Sequence, residues 1–198
     1  MSLPRVLVLY ATADGHTRKV ALALAEPLRS AGLDVDVVNA RDTLDPNPGD
    51  YAGVIVAASV HAGGYSRAVR RWVKSHANAL HGRPTAFVSV CLAVLEKSAK
   101  ANADLQAILL RFFTETGWTP PVTKIVAGAL LYTRYNWFIR WMMRRIVARA
   151  HGDTDTSRDY EYTDWNDVRA FGQEFARRVL PERAVTAEKG DVRVLVCC

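Results

Sequence analysis

Apolar residues run unbroken from Val6 to Tyr10, the pattern of a strand covered on both faces rather than on one. The period then changes. From Thr17 to Ala31, Val20, Leu24 and Leu28 fall on one helical face, and Gly32 stops the run. Asp34 to Asn39 alternates through Val35 and Val37 like a strand nearer an edge, and Asp45-Pro46-Asn47-Pro48-Gly49-Asp50 is a breaker loop. The cycle repeats with a strand at Val54–Ala58, a turn at Gly63-Gly64, a helix over Ala68–Leu80 and a strand at Thr85–Val90. A helix over Ala99–Thr116, a fifth strand over Val122–Leu131 and a helix over Asp164–Val179 complete it, the last with Val168, Phe171, Phe175 and Ala176 at core spacing. Strands alternating with helices predict an α/β, doubly wound parallel sheet. Five strands favour the order 2-1-3-4-5, with a ligand at the carboxyl ends of the first and third. The predicted domain spans residues 4–180 with an insertion at about 132–160, leaving 181–198 as a tail in which Val192–Val196 has no evident place in the sheet.

At 198 residues the chain can bury a full core without staples. The cysteines, Cys91, Cys197 and Cys198, form neither a disulfide framework nor a zinc spacing, so no metal is expected and a reducing cytoplasmic compartment is. Val6–Tyr10 is too short for a signal peptide, and no window approaches the roughly 20 apolar residues of a membrane span. The net charge of +6 fits nucleic acid, anionic lipid or an anionic substrate, and its placement has to decide.

The first strand ends in Thr12-Ala13-Asp14-Gly15-His16-Thr17, a loop that opens a helix. A phosphate needs converging N–H and O–H donors at the positive end of a helix dipole, and such a corner of small and hydroxylated residues supplies them. Thr12 and Thr17 bring hydroxyls, and Gly15 permits close backbone approach. The loop lacks both the P-loop and the dinucleotide spacing of glycines. It resembles the flavodoxin hydroxyl-x-Thr-Gly-x-Thr loop, which binds the phosphate of flavin mononucleotide (FMN). Asp14 replaces the usual threonine and is expected to point away from the phosphate and bind backbone N–H groups.

Loops after the third and fourth strands flank the same crevice. They carry Ser59, Val60, His61, Ala62, Gly63, Gly64 and Tyr65, then Ser89, Val90, Cys91, Leu92 and Ala93. The glycines let amides approach a flat ring. Tyr65 can pack on the ring edge or a substrate, and His61 can hydrogen-bond a flavin carbonyl or assist proton transfer, or stand as a solvated loop histidine. These two are the catalytic candidates. Cys91 reads as a small buried residue, with no cation beside it in sequence.

Tyr132–Ala150 reads as a helix with one aliphatic stripe (Ile139, Met142, Met143, Ile146, Val147, Ala150). The other face interleaves Trp137 and Trp141 with Arg140, Arg144, Arg145 and Arg149, and Arg134 precedes it. Anionic lipid, an acidic hydrophobic small molecule, or solvent met by snorkelling arginines all fit that face. No reader motif accompanies it, so nucleic acid is not expected.

Several stretches together resemble the flavodoxin-type, menaquinone-linked protoporphyrinogen IX dehydrogenases. They are Tyr10–Arg18 with Asp14 in the loop, Ala58-Ser59 with Gly64-Tyr65, Ala127–Leu130, the Arg/Trp segment from Tyr132, Gly152–Thr156, and Tyr162-Thr163-Asp164-Trp165. The chain departs from that family's tyrosine-containing stretch at His61-Ala62. The resemblance implies a flavodoxin-like fold, bound FMN with Thr156 added to its contacts, and oxidation of protoporphyrinogen IX with electrons passed to menaquinone or another quinone. It further implies a cytoplasmic protein peripherally attached to the anionic inner face of the cell membrane; a homo-oligomer is compatible with it. An electron carrier is disfavoured by the basic charge, and an NAD(P)H:quinone reductase by the lack of a second nucleotide site. A flavin-free interaction module of the same fold is the remaining alternative.

Overall fold

Strand β1 (Arg5–Ala11) is buried at six of its seven positions. Its residues alternate between two cores: Val6, Val8 and Tyr10 enter one, Leu7, Leu9 and Ala11 the other. A strand apolar on both sides forces helices onto both faces of the sheet. This computed structural model describes residues 2–42, 44–96, 98–130, 155 and 157–180. Among them β1 pairs in parallel with β2 (Asp34–Asn39) and β3 (Gly53–Ser59), then β4 (Thr85–Cys91) and β5 (Val122–Ala127) follow, giving the order 2-1-3-4-5.

Helix α1 (His16–Ser30) and helix α4 (Trp165–Val179) cover one face, with Val20, Leu24 and Leu28 meeting Val168, Phe171 and Phe175. Helix α2 (Arg67–Leu80) and helix α3 (Ala99–Thr116) cover the other, where Trp72, Leu109 and Phe112 surround Phe87 and Trp118. The caps follow the sequence. Ser66, Ser98 and Asp164 accept first-turn N–H groups of α2, α3 and α4, and Gly117 closes α3 in the left-handed conformation.

The predicted fifth strand over Val122–Leu131 is corrected: it is two elements. β5 ends at Ala127, and Ala129–Leu130 (β6) pairs antiparallel with Tyr160–Glu161 (β7). The break has a hydrogen-bonding cause. Gly128 N–H still reaches Cys91 O at 3.1 Å, but Gly128 O turns to Tyr162 N–H at 3.2 Å. Thr163 Oγ1–H donates to Ala127 O at 2.7 Å. The expected Arg/Trp helix over Tyr132–Ala150 and the Val192–Val196 stretch lie outside the described residues.

Helices α1 and α4 touch where Gly172 meets Pro27. A Cβ on Gly172 would come within 2.5 Å of Pro27 Cγ and 2.9 Å of Leu24 O. The second contact is backbone and cannot rotate away. Gly172→Ala gains about 1 kcal/mol of helix propensity but loses more to overpacking, which costs about 1–3 kcal/mol. The expected net is a loss of about 1 kcal/mol, read as a lower denaturation midpoint at unchanged slope.

Candidate functional site

The parallel sheet gathers the loops after β1, β3 and β4 at one edge. In the first loop, Thr12 Oγ1 accepts the Gly15 N–H at 2.8 Å, so threonine supplies the local acceptor that shapes the turn. Gly15 is the N-cap of α1 with φ of 88°, in the left-handed region, and no side chain caps the helix. No acidic residue stands in the first turn. The N-cap glycine thus offers no side-chain oxygen to the opening N–H groups of α1, and its first turn carries no carboxylate of its own. Thr17 is buried and Ala13 exposed beside them.

The side chain of His16 turns away from that cradle. Its Nε2 lies 2.7 Å from Thr163 Oγ1, and its ring is 5.8 Å from that of Trp165. Any contribution of His16 to the phosphate motif would thus come through its backbone. Nothing local in the sequence announces this, because its partner is 147 residues away.

The loop after β3 is a tight turn: His61 N–H donates to Gly64 O at 2.9 Å, and Gly64 N–H returns to His61 O at 3.1 Å. Ala62 (φ 47°) and Gly63 (φ 72°) both have positive φ, the conformation of a type I′ turn. Alanine is unfavourable there by about 1–2 kcal/mol. Two arginines that sequence reading missed hold the turn from outside: Arg111 of α3 donates to Gly63 O, and Arg70 of α2 to Tyr65 O. Arg70 also pairs with Glu115 at 3.2 Å. The turn is linked to the loop after β4 by Val60 N–H donating to Val90 O at 2.9 Å.

Two expectations change here. Tyr65 does not stand at the edge of the crevice; it is 5% exposed, with its ring 5.0 Å from both Phe87 and Phe112. Its hydroxyl is hydrogen-bonded to the buried Ser89 at 2.8 Å. Burial pushes the phenol well above its ordinary value, and the two hydroxyls satisfy each other. Both are core residues supporting the loop. Cys91 is buried as read from the sequence, its thiol pushed up by burial despite hydrogen bonds from the Val94 and Ala93 backbone. Val90 is buried as well, whereas Leu92 is half-buried and Ala93 exposed beside the crevice. His61 remains at the surface, Nε2 3.0 Å from Ser59 Oγ. Thr156, Arg134, Trp137, Arg140, Trp141, Arg144, Arg145 and Arg149 lie outside the described residues.

A family model described as a flavodoxin domain matches residues 7–157. The protoporphyrinogen IX dehydrogenase [quinone] of Escherichia coli K12 is 37% identical over 172 residues, 87% of this chain and 94% of that protein. The dehydrogenase of the same name from Leishmania major is 36% identical over 193 residues, 95% of this chain and 83% of its own. The chain belongs to the flavodoxin family. The solved C101A flavodoxin of Pseudomonas aeruginosa superposes with a TM-score of 0.53 at 16% identity, covering 88% of this chain and 98% of its own. Oxidised flavodoxin 1 of Bacillus cereus gives 0.52 at 16% identity, with 86% and 96% covered. At those identities the likeness speaks for the fold.

The cofactor of this family is FMN, and the residues present fit it. A helix start entered over a glycine in the left-handed conformation, with no acidic residue in its first turn, supplies the backbone donors that a phosphate dianion requires. Gly15→Ala would strain that position by about 1–2 kcal/mol. We expect it to weaken FMN binding about tenfold, read from the quenching of flavin fluorescence on titration into apo-protein.

Proposed function

We propose that the protein oxidises protoporphyrinogen IX to protoporphyrin IX on bound FMN and delivers the electrons to a membrane quinone, menaquinone in the first instance. The observation that carries this reading is identity of 37% across 94% of a relative bearing that activity in its name, on a chain whose α1 begins at a left-handed glycine with no acidic residue in its first turn. Bound FMN supplies two-electron acceptance from an electron-rich macrocycle and return of the pair to a quinone. The overall change removes six electrons and six protons from the substrate and reduces three quinones to quinols, so no oxygen is consumed.

The chain's own residues bind and orient. The first-turn N–H groups of α1 with Thr12 and Thr17 would hold the phosphate. The Ser59–Gly64 turn and the Leu92-Ala93 loop would flank the ring. His61 is the exposed titratable group on that turn and the remaining candidate for moving a proton. The carboxylates of the substrate need guanidinium partners, and Arg134, Arg140, Arg144, Arg145 and Arg149, interleaved with Trp137 and Trp141, suit an apolar macrocycle bearing two propionates. A quinone acceptor also accounts for a basic, tryptophan-bearing segment at an anionic membrane surface. No helix among the described residues is long and apolar enough to cross a membrane, so the proposed attachment is peripheral.

An anaerobic assay decides the reading. Protoporphyrinogen should bleach the oxidised flavin band, and a menaquinone analogue should restore it with porphyrin fluorescence appearing in step. Flavin reduction by NADPH but never by protoporphyrinogen would overturn the assignment. Replacing Arg140, Arg144, Arg145 and Arg149 together by Gln should lower turnover and binding to anionic vesicles while FMN stays bound. Loss of FMN in that variant would assign the segment to fold support instead.

A further inference from the structure

His16 opens α1, so its backbone belongs to the phosphate loop while its side chain reaches the other end of the chain. The hydrogen-bond pattern fixes its tautomer. Thr163 Oγ1 has one proton, and it is directed at Ala127 O, 2.7 Å away. Towards His16 Nε2, at 2.7 Å, that hydroxyl can then only accept. Nε2 therefore carries the ring proton and Nδ1 keeps a lone pair. Nδ1 is buried without a hydrogen-bond partner and lies 3.6 Å from Glu161 Oε2 on β7. Two acceptors face each other across that gap. The carboxylate is already engaged, by Lys19 Nζ at 2.9 Å and Trp165 Nε1 at 2.8 Å.

The charged groups that bear on the imidazole are Glu161 from β7 and Lys19 from α1, and α4 contributes the neutral indole of Trp165. Burial holds the imidazole below its ordinary value, Glu161 pulls it up and Lys19 pushes it down. A phosphate dianion on the first turn of α1 would add negative charge within one helical turn of this ring, and so favour its charged form. A proton on Nδ1 would then replace the lone-pair repulsion by a charge-assisted bond to Glu161.

We propose that His16 is a positioning residue coupling the FMN phosphate loop to β7: Nε2–H holds Thr163, and Nδ1 takes up a proton from solvent as the phosphate dianion binds. Phosphate binding, protonation and the docking of β7 are thereby linked, each favouring the other two. This rests on FMN being the cofactor. It adds a long-range anchor to a loop otherwise built from local contacts.

The test uses apo-protein titrated with FMN. Proton uptake is measured by calorimetry in two buffers of different ionisation enthalpy, and amide exchange is followed at residues 160–163. His16→Gln preserves a donor towards Thr163 and removes the titratable nitrogen; His16→Ala removes both. At about pH 7, near the ordinary histidine value, wild type should take up more protons per FMN than His16→Gln. The phosphate's own titration, common to both, cancels in that difference. The Gln variant should keep the protection of the Tyr162 amide and bind FMN within about threefold of wild type at about pH 8, where an imidazole is neutral. The Ala variant should bind about tenfold more weakly and lose the FMN-dependent protection of Tyr162. Equal proton uptake by wild type and His16→Gln would overturn the protonation, and unchanged affinity and protection in His16→Ala would overturn the coupling. Failure of wild type to bind FMN at all would instead remove the cofactor reading beneath both.

Discussion

The burial of β1 on both faces is the constraint from which the rest follows. With Val6 to Leu9 at 0% exposure, neither side of the strand can meet water, so helices must lie on both sides and the chain must cross over between parallel strands. Each crossover starts at a carboxyl end, which brings the Thr12–Thr17, Ser59–Tyr65 and Cys91–Glu96 segments to one edge. The site therefore needs no special scaffold. It occupies the place where a doubly wound sheet leaves its strand ends open, and what distinguishes this chain is which residues fill those openings.

Elements that depend on periodicity were legible in the sequence because burial writes period directly. The continuous run Val6–Tyr10 and the spacing of Val168, Phe171, Phe175 and Ala176 both end up in the cores they predict. The fifth strand was misjudged because its end is set by partners, not by hydropathy. Ala127–Leu130 stays apolar throughout, but the last carbonyls turn to Tyr162 and Thr163, more than thirty positions downstream. The burial of Tyr65 is illegible in the sequence for a related reason. After two glycines a tyrosine looks like a surface residue of a turn, yet Phe112 and Ser89 reach it from α3 and β4. The turn after β1 is the most legible part of the candidate site because its shape is local, with Thr12 closing onto Gly15 three residues on.

The same division separates cofactor from substrate. A phosphate is recognised by backbone N–H groups at one helix start, so a short motif carries the information. A flat ring would be met by loops whose positions depend on distant residues, such as the buried Tyr65–Ser89 pair and the arginines at 70 and 111 that reach the turn from α2 and α3. Substitution of those residues would displace the ring loop without touching a ligand.

Among the described residues, two local penalties lie beside the cofactor loops. Ala62 keeps a positive φ where glycine would be free of strain, at a cost of about 1–2 kcal/mol. His16 keeps an unpaired buried nitrogen opposite a carboxylate, at a cost of about 1–3 kcal/mol. Against a total stability of about 5–15 kcal/mol neither is negligible, and each could be relieved by one substitution. Penalties of this kind in the loops that would hold the phosphate and the ring are what is expected where local stability has been given up for a site. Ala62 fixes where the ring loop turns, and His16 ties the phosphate loop to β7.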